Sequence, residues 1–159
     1  MTDAADAELT KAGWSIMDDD GFIHLVGPVW HRLHGTDHEF AIVGQDKHRN
    51  RRGVVQGGVL MTLADRSCGM TARAVSGADA LATVQMDTYF VDAARIGELM
   101  ISRPKALRTT RSLIFMSTEV RVGDRIVATA HGVFKTMRHS TDSGPAGRGS
   151  DTVASSNGD

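Results

Sequence analysis

Two features of one apolar stretch have the makings of a reaction centre: a lone acid, Asp65, and a glycine pair, Gly57-Gly58, at the start of the same segment. A carboxylate partly shielded from water can serve as general base or nucleophile. Uncovered main-chain N–H groups at a helix start present unpaired donors and partial positive charge, which suits a polarised carbonyl or a developing oxyanion. Each feature has a plainer alternative. Asp65 can be a surface acid paired with Arg66 or Arg73, and Gly57-Gly58 can simply make a tight turn.

Both features lie in Gly57–Ser76, which reads as one long helix opened by Gly-Gly and closed by Ser76-Gly77. On a helical wheel Thr62, Arg66, Gly69 and Arg73 form a narrow polar stripe, and nearly everything else is apolar or small. Such a helix is buried on several sides. A sheet curling around it and a second subunit would supply that burial. Asp65 sits at the edge of the stripe, in a sector shared with Gly58, Met61, Gly69 and Ala72, mostly small residues that leave room for a ligand. Gly57 and Asp65 are about 12 Å apart along the axis, too far to act on one small carbonyl group. Cooperation between them calls for two chains, with antiparallel helices bringing Gly57 of one beside Asp65 of the other.

The flanking segments supply the sheet. Weak helical character runs from Ala4 to Met17 and stops at Asp18-Asp19-Asp20-Gly21. Phe22–Leu33 reads as one or two strands interrupted by Gly27-Pro28, and His38–Val43 as a short strand. His48–Gly53 is a polar, basic loop. After the helix come four strand-like segments, Leu81–Phe90, Glu98–Lys105, Ser112–Val122 and Ile126–Met137, the last two joined by a hairpin turn at Gly123-Asp124. Consecutive strands with short connections predict an antiparallel sheet, and the single helix makes the class α+β.

The chain has 159 residues, 41% hydrophobic, which is one domain's worth of protein. Residues 1–139 read as that domain. The stretch 140–159, rich in Ser, Thr, Gly, Asp and Asn, reads as a disordered C-terminal tail. A formal net charge of −1 with interleaved signs argues against a nucleic-acid partner. No apolar run has membrane-spanning length, and the acidic start lacks a signal-peptide pattern, so the reading is a soluble cytoplasmic protein. The lone Cys68 excludes an internal disulfide and reads as a core thiol. His31, His34, His38 and His48 do not follow a familiar zinc spacing, and strand alternation separates His31 from His34, so no metal site is expected. Asp65-Arg66-Ser67-Cys68-Gly69 lacks the first Gly of a nucleophile elbow.

The stretch from Asn50 to Asp65, Asn-Arg-Arg-Gly-Val-Val-Gln-Gly-Gly-Val-Leu-Met-Thr-Leu-Ala-Asp, resembles the signature of hotdog-fold acyl-CoA thioesterases. The phenylacetate-degradation and 4-hydroxybenzoyl-CoA thioesterase types are the most similar, and the likeness extends more loosely from about Leu25 to Lys135. The resemblance implies an antiparallel sheet of five or six strands wrapped around one long central helix. It implies hydrolysis of an acyl-CoA thioester at a dimer interface, in a homodimer or homotetramer, with no cofactor other than the coenzyme A of the substrate. By position, Asp65 matches the attacking or water-activating carboxylate and Gly57 the amide that polarises the thioester oxygen. Asn50 matches a side chain that places the thioester, and Thr83 a hydroxyl that orients water. Gln56, Gly58 and Met61 fall among the substrate-binding positions, and Arg108 and Arg111, aided by Arg51 or Arg52, are candidates for the coenzyme A phosphates. A solvated turn is the alternative for that arginine pair.

Gln56 departs from the pattern, which has His before Gly-Gly. Gln keeps a donor and an acceptor but cannot titrate, so proton transfer at this position is closed. A non-catalytic acyl-CoA binding or sensing module is therefore the alternative function. A hotdog enoyl-CoA hydratase fits less well, because no Asp-x-x-x-x-His stands in the helix. Tyr89, Phe90, Met61, Met86 and Trp30 are candidate pocket walls, although apolar side chains on strands and helices also serve as core.

Overall fold

The computed structural model describes residues 3–137; the expected tail at 140–159 lies outside them. The elements run α1 (Asp3–Lys11), β1 (Ser15–Ile16), α2 (Gly21–Val26), β2 (Trp30–His34) and β3 (Asp37–Val43). A 3-10 turn at Asp46–His48 leads to α3 (Gly57–Ser76). The chain then continues through β4 (Ala80–Phe90), β5 (Leu99–Ser102), β6 (Lys105–Thr109), β7 (Leu113–Val122) and β8 (Arg125–Met137). The strands form one antiparallel sheet in the order β1-β2-β3-β5-β7-β8-β4, with β6 also on β7. One long helix against the inner face of such a sheet is the hotdog arrangement, and it makes the fold α+β.

Eight strands replace the expected five or six. The two-residue β1 is too short to leave a pattern in the sequence. Glu98–Lys105 is not one strand: β5 ends at Ser102 and β6 starts at Lys105, because Pro104 between them has no N–H to give a ladder. Phe22–Leu33 is half helix. Gly21, at φ +53, turns the chain into α2, and the carbonyls of Val26 and Gly27 at its end accept from His48 Nε2 (2.7 Å) and Lys47 Nζ (2.6 Å). These long-range bonds overrule the β propensity of Phe22-Ile23 and Leu25-Val26. The Gly123-Asp124 hairpin is present, with Val122 opposite Arg125 and Gly123 at φ +57.

The helix α3 has the predicted limits, and Gly77 closes it in the left-handed conformation at φ +65. Its buried face, with Val59, Leu60, Leu63, Ala64, Cys68 and Ala72, rests on Phe40, Ile42, Met100, Ile114, Met116, Val120 and Phe134 from the inner side of the sheet. The outer face is covered over β2, β3 and β5 by Trp14, next to Trp30 and Ala41. Arg32 locks that cover: its guanidinium lies 4.3 Å from the centre of the Trp14 ring, and it pairs with the buried Glu39, which also pairs with Arg103.

The two glycines that open α3 are not equivalent. A Cβ on Gly57 would stand 2.9 Å from Cζ of Phe90, whereas a Cβ on Gly58 would meet nothing within 4 Å. Gly58→Ala is expected to hold or raise stability, by up to about 1 kcal/mol from helix propensity. Gly57→Ala is expected to lower it, because the Phe90 ring must leave its place. Urea unfolding of the two variants checks the difference.

Candidate functional site

Asp65 is half-buried on α3, and its Oδ1 accepts a 2.8 Å hydrogen bond from Thr83 Oγ1 on β4. Two residues on different elements, both matched by position in the resemblance, therefore meet. The register of β4 against β8 shifts between Thr83 and Gln85, so a bulge lies beside the residue that meets Asp65. Arg66 does not pair with Asp65; it pairs with Asp19, in the segment before α2. Arg73 is exposed and lines the same cleft as Asp65, about 340 Å³ in volume, along with Gly69, Met70, Leu81 and Phe134.

A second depression, of about 460 Å³, opens at the helix start and is lined by Asn50, Gln56, Gly57, Gly58, Met61 and Phe90. The Gln56 side chain makes no capping bond to the helix, which leaves the first turn uncovered by it. Asn50 Oδ1 accepts from the N–H of Arg52 (2.8 Å) and of Val54 (3.4 Å), an Asx-type turn completed by Gly53 at φ +80. Its carboxamide oxygen thus serves the loop. Within one chain, then, the expected residues fall into two groups. Asp65 and Thr83 form one, and Asn50, Gln56, Gly57, Gly58 and Met61 the other.

The family model of the thioesterase superfamily matches residues 52–130, which include Asp65 and Thr83 and all of the other group except Asn50. A candidate esterase of Pseudomonas aeruginosa is 32% identical over 90 residues, covering 56% of this chain and 67% of its own length. The chain belongs to the thioesterase superfamily. Solved structures agree on the fold. Zebrafish thioesterase superfamily member 2 superposes with a TM-score of 0.68 at 21% identity, covering 86% of this chain and 99% of that one. A phenylacetic acid degradation-related protein of Ralstonia eutropha gives 0.59 at 23% identity, covering 85% and 91%.

In this thioesterase-superfamily chain the loop that delivers Gly57 is built around the buried His48. Its Nδ1 accepts from the N–H of Gln45 (3.0 Å), its Nε2 donates to the Val26 carbonyl, and its own carbonyl accepts from the N–H of Gln56 (2.8 Å). His48 is thus a structural residue of this loop. The loop 91–97 braces the same region. Arg125 pairs with Asp92 and Glu98, and the N–H of Val55 donates to the Ala94 carbonyl at 2.8 Å. His31 and His38 join each other at 2.9 Å and stack beside Phe40.

Other expected residues lie elsewhere. Arg108 stands opposite Phe115, on the face of the sheet away from Ile114, Met116 and the helix, and Arg111 lies in the turn before β7. Neither lines either depression. Arg52, by contrast, lines the one at Gly57. Of the candidate pocket walls, Phe90 and Met61 line that depression, Tyr89 is exposed, Met86 packs on the core, and Trp30 is buried under Trp14 on the outer face. Burial, with the charge of Asp65 adding to it, pushes the Cys68 thiol up to about 12, so Cys68 is a core residue and not a thiolate nucleophile.

Burial, against the pull of the Val26 carbonyl and aided by the Lys47 charge, holds the pKa of His48 below its ordinary 6.5. The unfolded chain then takes up a proton first as the pH falls, so this contribution to stability is full above that value and is lost progressively below it. Urea midpoints are expected to drop from about pH 7 to about pH 5, with a shallower slope in His48→Asn. His31, lowered by burial and then by His38, keeps part of the slope in that variant.

Proposed function

We propose that this protein hydrolyses acyl-CoA thioesters at a site shared by two protomers. Asp65 is the base or nucleophile, and Thr83 orients the carboxylate and the attacking water. The first-turn amide of Gly57 from the partner polarises the thioester carbonyl, with Asn50 and Gln56 beside it. The observation that carries the reading is the Thr83–Asp65 hydrogen bond, which holds a half-buried carboxylate in an open cleft at the edge of the helix's narrow polar stripe.

Three further features support a shared site. Gly57 and Asp65 are about 12 Å apart on one helix, as their spacing demands. Met61, midway between Gly57 and Asp65, is 39% exposed on a helix whose other face is buried, and a two-fold axis near it would bring Gly57 and Asp65 of two antiparallel helices together. Finally, β4 is the edge of the sheet, eleven residues long, and Val84, Tyr89, Phe90 and Val91 on and beside it are exposed. A free edge of that length and character is suited to pairing with its twin. A homodimer is thus the minimum unit, and a homotetramer remains compatible with it.

The chemistry asks little more. A thioester has a good leaving group, so the main demands are charge stabilisation on oxygen and delivery of water or a carboxylate. One well-placed amide donor is worth roughly 3–4 kcal/mol of barrier. Gln56 can donate its NH2 to the carbonyl oxygen but does not titrate, which leaves the proton transfer to Asp65.

Asp65→Asn is expected to lower kcat by about 10²–10⁴ while the protein stays folded and associated. Thiol release from phenylacetyl-, hydroxybenzoyl- and medium-chain fatty acyl-CoA, with sedimentation of the same samples, checks this. Undiminished hydrolysis by that variant would remove Asp65 from the reaction. A wild-type protein that binds these esters without releasing thiol would make it a binding module.

A further inference from the structure

Three consecutive residues of α3 tie it to three different parts of the molecule. Asp65 accepts from Thr83 on β4, Arg66 pairs with Asp19 before α2, and Ser67 bonds to Ser102 on β5. Successive helical residues point about 100° apart, so the three ties fan out around the axis at one level, that of the carboxylate. Elsewhere along its buried face α3 meets the sheet through Val59, Leu60, Leu63, Ala64, Cys68 and Ala72. Such apolar contacts are non-directional and do little to oppose a small rotation or slide of the helix.

The Ser67 tie is the buried one, and it continues. Ser67 and Ser102 are fully buried and Thr118 nearly so; the Ser67–Ser102 and Ser102–Thr118 oxygen distances are both 2.7 Å. Ser67 Oγ also donates to the Ala64 carbonyl at 3.0 Å. Two orders of protons satisfy the chain: Thr118 to Ser102 to Ser67 to the carbonyl of Ala64, just before Asp65, or the reverse, Ser67 to Ser102 to Thr118 to the Glu119 carbonyl at 3.4 Å. Buried hydroxyls are costly unless paired, so the helix has one rotation and one height at which all three are satisfied.

We propose that Ser67, Ser102 and Thr118 are positioning residues for the thioester reaction: their hydroxyl chain fixes the rotation of α3 and thereby the aim of Asp65. The inference rests on the assignment of Asp65 given above. None of the three hydroxyls touches the substrate. They act through the backbone of α3, on which Ser67 is carried two residues beyond Asp65.

The test is the kinetics of Ser67→Ala, Ser102→Ala and the double variant, each per folded protomer and below its own unfolding temperature. Misplaced reacting groups lose turnover rather than binding, so Ser102→Ala is expected to lower kcat about tenfold with KM within about twofold. Because both substitutions break the same bond, the double variant should lose no more than the single ones. Unchanged kcat in Ser102→Ala, even with a lower Tm, would overturn the proposal, as would losses that multiply in the double variant. Should Ser102→Ala fail to fold, Thr118→Val and Thr118→Ser carry the test. The hydroxyl-retaining Thr118→Ser should keep the wild-type kcat and Thr118→Val should lose it; equal kcat in the two defeats the idea. Turnover retained in Asp65→Asn defeats the role of Asp65 itself, whereas a dead Asp65→Asn beside a fully active Ser102→Ala defeats only the hydroxyl chain.

Discussion

A helix that carries a reactive acid must be buried enough to stay put and open enough to be reached, and α3 meets both demands by dividing its circumference. One face is sealed onto the sheet by Leu63, Ala64, Cys68 and Ala72, all without exposure. The other leaves Met61 and the edge occupied by Asp65 accessible. Everything else in the fold follows from holding that division in place. The Gly57 turn, the His48 loop, the bulge beside Thr83 and the Arg125 brace are all devices that bring other segments to a helix whose orientation is already decided.

The division also explains why one chain looks incomplete. Its two clusters of candidate groups lie at different heights of one rigid rod, and no side-chain motion closes a gap of about 12 Å. In the shared site proposed above, the exposed apolar edge at β4 and the exposed Met61 would lie against the partner. A shared site gives both a purpose. It would also make activity depend on protomer concentration, since association would create the site and not merely stabilise it.

Much of this was legible in the sequence. The limits of α3 could be read from Gly57-Gly58 and Ser76-Gly77, and the last two strands from their hairpin turn, because local chemistry decides them. The Asp65–Thr83 pair was expected only through resemblance, since nothing in the spacing of two residues on different elements says that they meet. α2 was read as strand because its short run of β-branched and aromatic residues favours strand, and the bonds that settle it come from Lys47 and His48, about twenty residues away. Ser67, Ser102 and Thr118 gave no signal: small hydroxyls on an apolar helix and on alternating strands look like ordinary filler until the register of β5 on β7 brings them together. Asp19, one of a run of three acids, could not be told from its neighbours before the fold put it beside Arg66.

Cys68 has a practical consequence. Its thiol is the chain's only one, it has no exposed surface, and burial keeps it protonated well above neutral pH. A reagent that reacts with thiolates at neutral pH is therefore blind to the native protein and sees only sulfur liberated into solution. The same sulfur becomes reactive once α3 leaves the sheet. A single labelling reaction can thus report the departure of the helix from the core at one position, about one turn away from Asp65.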